Sequence, residues 1–368
     1  MTNSATPRDV VRVVLVADPG LPADIVEELG ATLPSRLRKK LSDRVDWQVR
    51  TLTAGVVVDE QVGVSEMVEL VHDRLDAAIE GEIEWDVAVL LTDLPRREGN
   101  RPVSAEIGRT AHVALISLPA LGSVRLTRRA ARAIVTAIGL VLPDSTRPGP
   151  EDLPKDPVVG QPMAAGRGMP DRYVVPGLPG YGRLISGMVK ANRPWLLFTS
   201  LSRALAGVFA TAAYSLFNGT VWQVSDRLGW WRETVLAVLC LTALTSWIII
   251  DHRLWERPDG YLPRARARLY NLVTAITIGL GVLCLYVTLF ATLTAVTYLL
   301  LDTGILTQVL GHGTGAADSL DLSWVVASVA LVGGAFGSGL EEHGVVRNAA
   351  YGRRQRERQR EKDSENTD

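Results

Sequence analysis

Residues 233–250 read ETVLAVLCLTALTSWIII: after the opening glutamate no charge interrupts the run, which is close to the ~20 residues that cross a bilayer core as helix. Three further stretches share this character. Ala204 to Trp222 is apolar and rich in small residues, Tyr270 to Leu301 is uncharged, and Leu322 to Leu340 completes the set. In water these runs expose more contiguous apolar surface than a soluble monomer carries, and they lack the polar face of a core helix. Tyr270 to Leu301 exceeds one upright span at about 1.5 Å per residue and fits if tilted. The expectation is an all-α four-helix transmembrane region over residues 195–340.

Arginine placement orients the spans. The connection from Asp251 to Arg268 holds Arg253, Arg257, Arg264, Arg266 and Arg268, whereas Asp302 to Asp321 holds neither Lys nor Arg. The positive-inside rule puts the first in the cytoplasm and the second outside. A basic tail, residues 341–368, carries Arg347, Arg353, Arg354, Arg356, Arg358, Arg360 and Lys362 and belongs inside. Four spans bring both termini to the cytoplasm. Trp222, Trp230, Trp231 and Trp324 fall at the outer ends and Trp247, Trp255 and Tyr270 at the inner ends, as interfacial aromatic belts require. This implies a multi-pass protein of the inner cell membrane, with the lipid bilayer as its first partner.

The chain has 368 residues and a formal net charge of −1, so its charge balance points to no partner class. Its two cysteines, Cys240 and Cys284, both lie in spans and provide no disulfide framework or thiolate metal site. The apolar run near the N-terminus is too short for a secretory signal.

Residues 1–142 read as a soluble α/β domain. Val10 to Ala17 is a Val-rich strand stopped by Asp18-Pro19-Gly20, and Pro22 to Leu41 has helical spacing with a kink at Pro34. Val45 to Leu52 alternates as a strand, and Val64 to Ile79 is helical. Trp85 to Thr92 is a buried strand ended by Asp93-Leu94-Pro95. Arg101 to Ile107 and His112 to Ser117 follow as strands, the first placed at a sheet edge by Pro102. Arg125 to Leu142 closes the domain as a helix with a basic face at Arg125, Arg128, Arg129 and Arg132.

From Pro143 to Gly180 nine prolines break regular structure, so residues 143–194 are expected to be a tether. It ends in an interfacial helix, Tyr181 to Arg193, with Leu184, Ile185 and Met188 toward lipid.

Asp18 and Asp93 follow strands that a parallel sheet places side by side, at the edge where open α/β sheets bind ligands. Arg101, Ser104 and Glu106 are candidates to join this rim. Ordinary turn chemistry for the aspartates and a solvated edge strand for the others are the competing readings. No Gly-rich loop supports a nucleotide site, since Asp18-Pro19-Gly20-Leu21-Pro22 lacks the further glycines, and GHGTG at Gly311 to Gly315 lies in the external connection. No cofactor or metal is called for, and the tail, mixed in charge and poor in aromatics beyond Tyr351, argues against nucleic acid.

At the membrane interface, Arg203 is placed to snorkel to phosphates, and Asp251 and Arg253 to anchor the second span. Gly333 and Gly337 form a small-xxx-small row in the fourth span, suited to packing within the bundle or to a homo-oligomer.

DHRLWERP at Asp251 to Pro258, LTDLP at Leu91 to Pro95, SLPALG at Ser117 to Gly122 and AYGRRQRER at Ala350 to Arg358 resemble an actinobacterial family of multi-spanning membrane proteins with a cytoplasmic α/β domain. The resemblance implies architecture and no activity. Over Trp85 to Leu142, the order of strand, DLP turn, edge strand, strand, SLPALG and helix is similar to the approach to the zinc helix of archaemetzincin-type proteases. Val135 to Leu140, VTAIGL, stands where an HExxH motif is expected, and Thr136, Ala137 and Leu140 replace the two ligands and the acid. That likeness implies a protease core without its metal chemistry, kept for binding.

The functional expectation is a membrane-tethered sensor or scaffold whose soluble domain binds a cytoplasmic ligand or protein. The alternatives are an enzyme at the acidic rim, or a small-solute transporter.

Overall fold

β1 (Val10–Ala17) is the strand around which the N-terminal sheet is laid, pairing in parallel with β2 (Asp46–Thr53) on one side and β3 (Val87–Thr92) on the other. In the computed structural model the described residues are 10–55, 67–69, 71–73, 84–99, 101–142, 159–163, 170–194, 202–257, 264–301 and 303–338. The basic tail, the Pro-rich residues 143–158 and most of the expected helix Val64 to Ile79 lie outside them. The chain divides into two units, Met1–Ala191 and Asn192–Asp368.

The first unit is a mixed α/β sheet domain. β6 (Val113–Ser117) continues the parallel set beside β3; β5 (Arg101–Gly108) runs antiparallel to β6, and β8 (Asp171–Val174) and β7 (Gln161–Met163) extend the sheet in order β2-β1-β3-β6-β5-β8-β7. The short β4 (Arg96–Glu98) forms a hairpin with the start of β5. β5 is thus interior, not an edge. Pro102 pairs with Arg97 of β4, and its carbonyl accepts from Val175 N at 3.0 Å.

Val-rich strands alternate between two buried faces. One face, including Val13, Leu15, Val89, Leu91 and Ile116, packs against α1 (Leu21–Gly30), α2 (Leu33–Lys40) and α4 (Leu126–Val141); the other carries Val14, Val16, Leu90 and Leu115 beneath Met67 and Val71. The helical stretch after β1 is two helices rather than one kinked helix, parted at Ala31 and Thr32 so that Pro34 enters the first turn of α2.

Two expectations for residues 143–194 change. Residues 161–163 and 171–174 are sheet strands. The helix expected at the lipid surface is α5 (Gly177–Ala191), whose Leu184 and Met188 are buried within the first unit. It lies on α3 (Leu118–Leu121) so closely that a Cβ at Gly187 would meet Pro119 Cα at 2.6 Å, and Lys190 Nζ donates to Ser123 O at 3.0 Å.

The second unit is helical, and among the described residues three helices are long and apolar enough to cross a membrane: α8 (Trp230–Asp251), α9 (Arg264–Leu300) and the Ala316–Ala335 portion of α11 (Ala316–Ser338). Val235, Val238, Leu239, Leu283 and Val287 remain exposed on their outer faces, as lipid-facing side chains would be. Between helices, Tyr286 Oη lies 3.2 Å from Ser328 Oγ and Thr297 Oγ1 lies 3.4 Å from Ser323 Oγ. Ala204 to Trp222, expected as one span, is broken. α6 (Ser202–Leu216) stops there, and Asn218 accepts from Thr220 N at 3.0 Å to start α7 (Gly219–Leu228). Trp222 turns inward, donating to Leu216 O at 2.7 Å. α10 (Thr303–Leu310) lies in the connection between α9 and α11.

Candidate functional site

Asp18 and Asp93 do follow neighbouring parallel strands, as Ala17 pairs with Leu91. Asp18, however, is buried and accepts from Thr92 Oγ1 at 2.7 Å, while Leu94 N donates to Thr92 Oγ1 at 3.1 Å and Ser117 Oγ to Leu94 O at 2.8 Å. These bonds lace the ends of β1, β3 and β6 together. Asp93 is half-buried beside them.

Glu106 belongs to a different group. A bulge in β5 between Val103 and Ala105 shifts the alternation, so that Arg96, which pairs with Val103, shares a face with Glu106 and its partner Arg172. Simple alternation would put Arg101 opposite Glu106; the bulge places both on one face, with Arg101 exposed at the strand start. Ser104, at the bulge, donates to Tyr173 O at 3.0 Å and to Val159 O.

Arg96 Nη2 donates to Glu106 Oε2 at 2.8 Å, Arg172 Nε stands 3.4 Å from Glu106 Oε1, and Arg172 Nη1 pairs with Glu98. Arg96, Glu106 and Arg172 are only 4%, 2% and 8% exposed. Arg172 Nη2 is buried and has no hydrogen-bond partner among the described residues. Burial pushes the Glu106 carboxyl above its usual range, outweighing the opposing pull of Arg96 and then Arg172. Arg96 and Arg172 were not candidates on sequence grounds; an arginine two residues before an expected turn and another inside a Pro-rich stretch carry no burial signal.

The remaining candidates lie elsewhere. Arg203 is in the first turn of α6 and its side chain is outside the described ones. Asp251 ends α8, and Arg253 adopts φ 52° in the turn where Leu254 N bonds Ile249 O at 2.9 Å. Asn271 clasps the chain beyond this turn, accepting from Glu256 N at 2.8 Å and donating to Glu256 O at 2.9 Å. Gly333 faces Gly207 and Thr211 of α6, where an added Cβ would meet Gly207 O at 2.7 Å. Gly337 is on the same helix, its surroundings outside the described side chains. Thr136, Ala137 and Leu140 are buried in α4, and among the described residues no three His, Cys, Asp or Glu side chains are grouped for a metal ion.

At one end of the helical unit, a pocket with a cavity volume of about 50 Å³ is lined by residues that include Trp222, Ser225, Asp226, Asp318, Asp321 and Leu322. His312 Nε2 lies 2.8 Å from Asp226 Oδ1, and the Gly313 carbonyl together with Asp226 raises the His312 pKa.

No protein-family model matches the chain, and no curated protein matches it. Among solved structures the chain is similar to an archaemetzincin from Methanopyrus kandleri, at 16% identity and a TM-score of 0.27 over 37% of this chain and 76% of that one. So loose a superposition carries no argument about activity.

Proposed function

We propose that this is a multi-pass inner-membrane protein of the actinobacterial family it resembles, whose α/β domain is cytoplasmic and acts as a binding module, a membrane-tethered sensor or scaffold. The observation that carries this reading is Arg172. Its guanidinium is buried against Glu106 and Glu98 with Nη2 still lacking a hydrogen-bond partner among the described residues. A planar guanidinium with an unused N–H edge is suited to a carboxylate or phosphate group, and Arg96, Arg101 and Arg172 against Glu98 and Glu106 leave this face with a cationic excess.

The proposed topology has four spans, α6 joining α8, α9 and α11. Supporting it are the arginines between α8 and α9 and the lack of Lys and Arg from Asp302 to Asp321. Both termini are then cytoplasmic.

The test is hydrogen exchange on the full-length protein in maltoside micelles, titrated with inorganic phosphate and with citrate. Saturable protection of residues 171–174 by either anion, lost in Arg172→Met, supports the reading. Equal protection in the variant, or none in either protein, refutes it.

A further inference from the structure

The pocket between α7, α10 and α11 gathers carboxylates that the proposed function does not use. Asp226, Asp318 and Asp321 line it beside the apolar surfaces of Trp222 and Leu322. Asp226 is engaged by His312, and Asp318 Oδ2 accepts from Gly315 N at 2.6 Å. Asp321 also lines the pocket, with no hydrogen bond or ion pair among the described residues. Arg232, a basic group nearby in sequence, is stacked over the Trp231 ring at 5.1 Å.

One buried group points to a ligand independently of this acidity. Ser225 is 4% exposed, lines the pocket, and its hydroxyl has no hydrogen-bond partner among the described residues. Buried polar groups of native proteins ordinarily have partners.

We infer that this pocket binds a small organic ammonium group bearing an apolar arm. The N–H donors satisfy Asp321 and the Ser225 hydroxyl, the positive charge is balanced by the carboxylates, and the arm lies against Trp222 and Leu322. A bare metal ion fits less well, because no three ligating side chains among the described residues converge on one point. A free amine and an aminophospholipid headgroup both offer this chemistry.

The test titrates n-butylammonium into the full-length protein in maltoside micelles, read by saturation-transfer NMR, with n-butanol and butyrate as the neutral and anionic comparators. Saturable binding of the ammonium alone, weakened roughly tenfold in Asp321→Asn and in Ser225→Ala, is expected. Competition by added phosphatidylethanolamine identifies the headgroup as the source; indifference to it identifies a free amine. Butanol binding as well as butylammonium, no saturable binding, or unchanged binding in both variants overturns the inference. The comparison of ligands on the unaltered protein holds even if a variant fails to fold.

Discussion

Arg96 and Glu106, ten positions apart in sequence, are joined by a 2.8 Å ion pair in which both side chains are almost wholly buried. The pair exists because the β4–β5 hairpin returns Arg96 onto the face that the β5 bulge gives to Glu106. Removing Arg96 takes from the buried Glu106 its closer partner and leaves it Arg172 Nε at 3.4 Å. Arg96→Ala is expected to destabilise the α/β domain by about 3–5 kcal/mol, the range for breaking a buried pair. The joint change Arg96→Met with Glu106→Leu costs less, since neither member of the pair is left behind and Arg172 keeps Glu98 as its partner. Chemical denaturation of the two variants checks this; equal losses contradict it.

Stability also depends on pH through Glu106. Its folded-state pKa lies above the ordinary 4.5, so between these two values the folded chain binds more protons than the unfolded chain. The stability this carboxyl contributes is present below the unfolded value and is lost as pH rises through the raised folded value. Unfolding measured from about pH 4 to 7 is expected to show a smaller decline for Glu106→Gln than for the unaltered protein. Parallel curves contradict the assignment.

How far the chain could be read from its residues follows from the strength of local signals. β1, β3 and β6 were legible because Val- and Leu-rich runs end abruptly, the first two at Asp18-Pro19 and Asp93-Leu94-Pro95. β7 and β8 were not: they are three and four residues long, and Pro162 sits within one of them. β8 is held by pairing with β5, and β7 by pairing with β8, rather than by propensity. Leu184 and Met188 on α5 were legible as an apolar face but not as a face turned to protein instead of lipid, because composition does not distinguish the two solvents. The bulge at Ser104 is likewise a tertiary feature, and without it Glu106 and Arg96 cannot be seen to meet. The break before α7 did have a local signal, Asn218-Gly219, in the middle of an otherwise apolar run.

The close approach of α6 and α11 gives a third prediction. Gly333→Val forces side-chain atoms into Thr211 and Gly207, an overpacking cost of about 1–3 kcal/mol or more. Gly279→Ala is a matched control, its nearest neighbour being Thr245 Cγ2 at 4.0 Å. Thermal unfolding in micelles is expected to fall for the first and not the second. A tolerated valine at 333 contradicts the packing.

The proposed orientation of the helical unit is tested most directly by labelling intact cells with a membrane-impermeant thiol reagent. Gly313→Cys, between α10 and α11, and Arg257→Cys, between α8 and α9, place one thiol on each connection. Labelling of the thiol at 313 in sealed cells, and of the thiol at 257 only after permeabilisation, is the expected result. Labelling at 257 in sealed cells contradicts it and removes the cytoplasmic placement of the binding domain.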